Sequence, residues 1–154
     1  MKKLAFFYES PEVDCFSGTQ DALSAWRYAA KAFGVDEIIV INLTKDDINF
    51  NDSAINCTVV NSIKEFIDTT KCIVYAAEVD KVLRDAGKVP VKLQHLNMWE
   101  HAGQDHCIFF GSAMALDYLP DHFKWFTVDT ADKAALHSIH VAYAVLHHFY
   151  VTDV

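Results

Sequence analysis

Apolar residues along this chain fall into short unbroken runs, separated by polar stretches holding Gly, Pro, Asn or Asp. Lys3 to Tyr8 (KLAFFY) reads as a buried strand, broken at Ser10-Pro11. Glu37 to Leu43 is almost entirely branched aliphatic, as expected of a parallel strand covered on both faces. Lys71 to Ala77 (KCIVYAA) is a third strand, His106 to Phe110 a fourth, and Trp125 to Val128 a shorter one. Thr58 to Val60 and Lys92 to His95 predict two further short strands, the second following Pro90. Between them the period changes. Leu23, Trp26, Ala30 and Phe33 fall at helical spacing over Gln20 to Phe33, with Thr19 as N-cap and Gly34 as stop. Ser62 caps a short helix reaching Thr69, Asp80 to Asp85 forms another ended by Gly87, and Ala131 to Tyr150 forms the last. Strands alternating with helices predict an α/β fold with a mostly parallel sheet flanked by helices. No repeat or linker divides the 154 residues, so a single domain over 1–154 is expected.

The final helix departs from simple amphipathicity. Ile139, Val141, Ala142, Tyr143, Val145, Leu146, Phe149 and Tyr150 cover most of its circumference, more than one core contact uses. Such a helix suits burial by its own sheet on one side and by a partner on the other. Aromatic residues make up 13% of the chain, with eleven Phe and six Tyr, which agrees with a second buried surface.

Charge narrows the partners. The net charge is −8 and Lys and Arg form no cluster, whereas phosphate binding draws on a basic patch. This counts against autonomous RNA binding and predicts no DNA partner. Cys15, Cys57, Cys72 and Cys107 are far apart and form no Cys-x-x-Cys pair. The apolar run after Lys2-Lys3 is too short for a signal-peptide core, and nothing approaches the roughly 20 apolar residues of a membrane span. A reduced, cytoplasmic protein with free thiols is expected, without a membrane partner.

Three segments carry the candidate chemistry. Tyr8-Glu9-Ser10-Pro11-Glu12 leads to Phe16-Ser17-Gly18 and then to the helix ending Ala32-Phe33-Gly34. The strand at Cys107 continues as Phe110-Gly111-Ser112-Ala113-Met114-Ala115-Leu116. The last helix opens near Ala135-Leu136-His137-Ser138. In this order they resemble the SPOUT superfamily of knotted RNA methyltransferases, in particular its small 2′-O-ribose branch. That branch carries Tyr-Glu-Pro-Glu before an Asn-x-Gly loop, an arginine early in the first helix, Phe-Gly-x-Glu with a later Gly-Leu, and Ser-Leu-Asn at the last helix. Here the first asparagine is Phe16, the glutamate is Ala113, the second glycine is Ala115 and the last asparagine is His137. The arginine position falls on Tyr28 or Ala22 depending on the direction of counting, with Arg27 one residue from the former.

The resemblance implies a C-terminal trefoil knot, a rare topology. It also implies S-adenosylmethionine held mostly by backbone groups of three loops, around Ala76-Ala77, Gly111-Ser112, and Thr127-Val128 continuing to Leu136. It further implies a ribose 2′-hydroxyl of RNA as methyl acceptor, with Arg27 and His137 as the catalytic candidates, and a homodimer through the C-terminal helix. Deprotonating a hydroxyl as it attacks a sulfonium methyl calls for a positioned basic or cationic group, worth on the order of 10²–10⁴-fold. The four motif replacements leave a second reading, a degenerate SPOUT-fold binding or regulatory protein. A third is a flavodoxin-like ligand-binding domain, with the Ser10 to Thr19 loop holding phosphate at a helix N-terminus.

Other residues have plainer readings. His137 and His140 share a helix face, with His147 and His148 further along, but no carboxylate or cysteine completes a metal set, and no metal is expected. Arg27 and Lys31 form a small basic face, which is commonly solvated. Trp99, in the polar loop Asn97 to Asp105, is expected to fold under that loop.

Overall fold

The computed structural model describes residues 2–8, 29–44, 56–69, 73–77, 80–96, 105–110, 123–128 and 138–152. Seven strands form one sheet: β1 (Lys2–Tyr8), β2 (Glu37–Asn42), β3 (Asn56–Val60), β4 (Ile73–Ala77), β5 (Val91–Lys92), β6 (His106–Phe110) and β7 (Lys124–Thr127). Their order is β3-β2-β1-β6-β4-β7-β5, and every pairing is parallel. Among the described residues, besides a helical turn over 29–32, helices α1 (Ile63–Thr69), α2 (Asp80–Asp85) and α3 (Ser138–Thr152) accompany them.

The order is interleaved. β6 lies between β1 and β4, and β7 lies between β4 and β5, so strands late in sequence separate strands made earlier. A flavodoxin-like sheet runs 2-1-3-4-5. The third reading of the sequence is therefore corrected by the strand order.

Strand alternation sorts the core into two layers. One face carries Leu4, Ile38, Val40, Tyr75, Ile108 and Phe126, packed with Ala30, Val145, Leu146 and Phe149. The other carries Ala5, Ile39, Ile41, Ala76, Cys107, Phe109 and Trp125, packed with Phe66 of α1 and Leu83 of α2. Both faces are covered, which is why β2 reads as an unbroken aliphatic run.

The local signals in sequence act as predicted at the helix ends. Ser62 Oγ accepts from the Glu65 backbone N–H at 3.0 Å, and Glu65 Oε2 accepts from the Asn61 N–H at 2.9 Å. This is a capping box shifted by one residue on its return bond. The helical turn over 29–32 ends with Val35 N–H donating to Ala30 C=O at 2.9 Å and Gly34 N–H to Lys31 C=O at 3.3 Å. Gly34 has φ +77°, so this is a Schellman closure, repeated at Gly87 (φ +77°) after α2. The rest of the first helix, from residue 20 to 28, lies outside the described residues, as do 131–137 of the last.

One element differs from expectation. Lys92 to His95 is not a strand: β5 is only Val91–Lys92, and Leu93–His95 turns as a 3-10 helix. Pro90 has no N–H to donate to a ladder, so pairing starts one residue later. A two-residue edge bearing Pro90 and Lys92 is also poorly suited to edge-to-edge association.

Candidate functional site

A parallel sheet places all its strand ends of one polarity on a single edge, and ligands of such sheets bind outside the carboxyl ends. Here β6, β4 and β7 are adjacent, so the chain leaves the sheet at three neighbouring points. Ala77 pairs with Phe110 on one side and Phe126 on the other, which puts Thr127 one residue beyond that line. Of the residues expected to hold a cofactor, the structure brings Ala76, Ala77, Thr127 and Val128 to this edge. Ala76 is fully buried on the α1/α2 face, Thr127 is buried at the end of β7, and Val128 is half-buried. Gly111 and Ser112 follow directly on β6, but they lie outside the described residues with Leu136 and the catalytic candidates Arg27 and His137.

The described part of this site is uncharged: two alanines, a threonine and a valine at the ends of β4 and β7. Its chemistry is that of the backbone. Where strands end side by side, the next N–H and C=O groups leave the ladder and are open to a ligand. The nearest described charge after β4 is Asp80, whose Oδ2 accepts from Arg84 Nε at 2.9 Å within α2.

Sequence reasoning passed over Asn42. It ends β2 opposite Tyr8, its side chain is buried, and its Oδ1 accepts from the Thr44 N–H at 2.9 Å and from Thr44 Oγ1 at 2.6 Å. The side chain thus fixes the exit of the chain at the same sheet edge. The available signal was an Asn closing an otherwise aliphatic strand, two residues before a Thr.

The opposite, amino-terminal edge has different features. A recess between β1, β6 and α3 has Lys3 and His106 on its wall and a volume of about 20 Å³, which is space for one water. Beside it, Asp105 has its carboxyl held below the ordinary 3.8 by a hydrogen bond from the chain's terminal ammonium, then by that group's charge and those of Lys3 and His106. Neither feature touches the candidate site.

The remaining histidines separate by face. His147 is exposed and lies parallel to Tyr143, with ring centroids 6.2 Å apart and planes 2° apart. His148 is half-buried and meets Phe149 edge-on. Lys31 is exposed, Cys57 is half-buried and Cys107 is buried. No described helix is long and apolar enough to cross a membrane.

Neither a protein-family model nor a curated protein matches the sequence. Solved structures do. A probable methylase family protein from Haemophilus influenzae superposes over 99% of this chain with a TM-score of 0.66 at 13% identity. The fold is that of the SPOUT methyltransferases. The SpoU methyltransferase AviRb of Streptomyces viridochromogenes, determined with AdoMet, matches over 97% with a TM-score of 0.62 at 13% identity. A structure described as giving insight into 2-OH methylation of C/U34 on tRNA matches over 97%, at TM-score 0.61 and 11% identity. The SPOUT fold thus accounts for nearly the whole chain. The chain in turn spans 66% of the Haemophilus protein, 56% of AviRb and 90% of the tRNA-associated one.

Proposed function

We propose that this protein binds S-adenosylmethionine in a SPOUT-type site and serves as a methyltransferase of RNA, with a ribose 2′-hydroxyl as acceptor. The observation that carries the reading is the convergence of the β6, β4 and β7 ends at one edge of an interleaved parallel sheet. The AdoMet complex of AviRb supplies the cofactor class for that fold. Ala76, Ala77, Thr127 and Val128, with Gly111, Ser112 and Leu136, are the residues proposed to hold the cofactor, and the uncharged, small-residue character of the described four suits a backbone-mediated cradle. S-adenosylmethionine, when bound, supplies an electrophilic methyl on sulfur. Arg27 and His137 are proposed to orient and deprotonate the acceptor hydroxyl.

The same order of strands supports a trefoil knot in the C-terminal part, because β6 and β7 each enter between strands laid down before them. A cytoplasmic location is proposed from the wide cysteine spacing.

We further propose a homodimer through α3. Val145, Leu146 and Phe149 are buried against the sheet, while Tyr143, Tyr150 and Val151 are 58%, 54% and 50% exposed on the other side. Half of the exposed large apolar residues among those described therefore lie on this one helix. Its fifteen residues, SIHVAYAVLHHFYVT, carry no Asp, Glu, Lys or Arg. A nucleic acid would need cations on that face, and a charged partner would be left uncompensated. A second copy presents the same neutral surface, which is what an isologous contact requires.

A second reading, cofactor binding without methyl transfer, is favoured by the net charge of −8 and by Ala113 and Ala115 at family glutamate and glycine positions. Calorimetric titration of the purified chain with S-adenosylmethionine and S-adenosylhomocysteine tests the shared premise. Micromolar binding, lost in Gly111→Trp, supports the site; absence of heat from a folded sample overturns both readings. Transfer of labelled methyl to bulk tRNA or rRNA then separates them.

A further inference from the structure

We infer that Lys92 pairs with the carboxylate at the amino-acid end of the cofactor. This rests on the S-adenosylmethionine site proposed above and deepens it by assigning a charged contact. The parallel ladder supplies the position. β5 runs beside β7, with Val91 opposite Phe126 and Lys92 opposite Thr127. Thr127 in turn lies one residue beyond the line joining Phe110, Ala77 and Phe126. The strands β6, β4, β7 and β5 therefore end at four neighbouring points, Phe110, Ala77, Thr127 and Lys92, and the last of these is charged.

Strand alternation fixes the side. Phe126 belongs to the layer packed under α3, so Thr127 stands on the other face, where Ala76 lies with α1 and α2. Residues in register on adjacent parallel strands share a face, which puts Lys92 on the Thr127 side, one strand spacing of about 4.8 Å away. The next residue obeys the same alternation: Leu93 is buried in the α3 layer. It also anchors the backbone, because the Leu96 N–H donates to its C=O at 3.0 Å and closes the 3-10 turn. Lys92 is thus held between a strand and an anchored turn, and it is half-buried. Such a lysine lays its methylene stem along the protein and keeps its ammonium toward water or an anion.

The cofactor carries a matching anion. Its adenosine can be met by backbone N–H and C=O groups, the chemistry of the β4 and β7 ends. Its carboxylate is a full charge, and taking a charge out of water costs far more than taking out an amide unless a counter-charge meets it. An ammonium one strand beyond Thr127 meets that need from outside the uncharged cradle. RNA phosphate is the other anion of the proposed reaction, but a polyanion is bound through several cations together, and one half-buried lysine suits a single carboxylate better.

Calorimetric titration of the full chain with S-adenosylmethionine, S-adenosylhomocysteine and 5′-methylthioadenosine tests this, the last ligand lacking the amino-acid end. Lys92→Met, Lys92→Glu and Lys92→Arg are compared with wild type, with circular dichroism confirming the fold. The expected result is that Lys92→Met weakens both amino-acid-bearing ligands by about tenfold, the loss of one charge-assisted hydrogen bond. Lys92→Glu weakens them further, Lys92→Arg retains most of the affinity, and 5′-methylthioadenosine binds all four chains alike. Unchanged affinity in Lys92→Met and Lys92→Glu overturns the inference and leaves the cofactor site standing, even if methyl transfer to RNA falls. Equal weakening of 5′-methylthioadenosine also overturns it, assigning the effect to packing at the strand end. A folded wild-type chain that binds none of the three removes the site and this inference with it.

Discussion

Phe149→Ala probes whether α3 is seated as described. The Phe149 side chain is 4% exposed, and its ring packs against Tyr75 at 5.4 Å and Phe126 at 6.2 Å, residues on two adjacent strands. Truncating a buried phenylalanine costs about 3–5 kcal/mol through lost transfer energy and the cavity left behind. The two ring pairs belong to the upper part of that range, since each contributes about 0.5–1.5 kcal/mol beyond area burial. The site has little means of collapse, because Tyr75 and Phe126 stand on central strands of a sheet covered on both faces. We therefore expect about 4 kcal/mol, or about 10 °C in Tm for a domain of this size. Urea unfolding followed by circular dichroism at several protein concentrations is the assay, with Tyr143→Ala as the internal comparison. Tyr143 is 58% exposed, so its truncation should cost less than about 0.5 kcal/mol at the dilution where the chain is monomeric. A loss below about 1 kcal/mol for Phe149→Ala, or equal losses for the two variants, refutes the assignment of inner and outer faces.

Other expectations are smaller and local. Gly34→Ala keeps an open surround, since nothing lies within 4 Å of the added Cβ, but places an L-residue at φ +77°; we expect a loss of about 1–2 kcal/mol, less for Gly34→Asn, by urea unfolding. Ser62→Ala removes the acceptor for the Glu65 N–H and should cost about 1 kcal/mol, with faster amide exchange confined to α1. The Asp105 carboxyl titrates below its ordinary value, so its contribution is present above that value and fades as pH falls through the folded one. Acetylating the terminal amine should move the Asp105 carboxyl resonance titration upward; an unchanged midpoint would show that the terminal ammonium does not hold it.

Much of the fold was legible because most of its strands are buried on both faces and announce themselves as unbroken apolar runs. β1, β2 and β6 are of this kind, and each appears where its run lies. Helix ends were legible for a different reason: Ser62, Gly34 and Gly87 each supply a bond or a backbone conformation that few other residues supply as well. β5 was misplaced because its pairing is governed by the partner β7 and by Pro90, neither of which imposes a period. Strand order was not readable from periodicity at all. Nothing in HCIFF says that it goes between KKLAFFY and IVYAA; that placement is seen only in the sheet itself. The site was legible in the same partial way. Ala76 and Thr127 could be placed at an edge because they end apolar runs, but backbone-mediated binding leaves few side-chain marks. Asn42 was missed because a single polar residue ending a strand looks like the start of a loop.

The interleaved sheet has a consequence for the order of synthesis. β1, β2 and β3 can pair as soon as they leave the ribosome, yet β1 then keeps one raw edge, and β4 has no neighbour at all until β6 arrives at residues 106–110. For the first hundred residues the nascent chain carries one unpaired edge on β1 and two on β4, and the sheet face that α3 covers in the finished domain is incompletely covered. Such a chain matures in one late step and is vulnerable before it. A ribosome stalled ahead of β6 would release a fragment whose β1 edge is unpaired, the kind of edge that pairs with other chains unless a chaperone covers it.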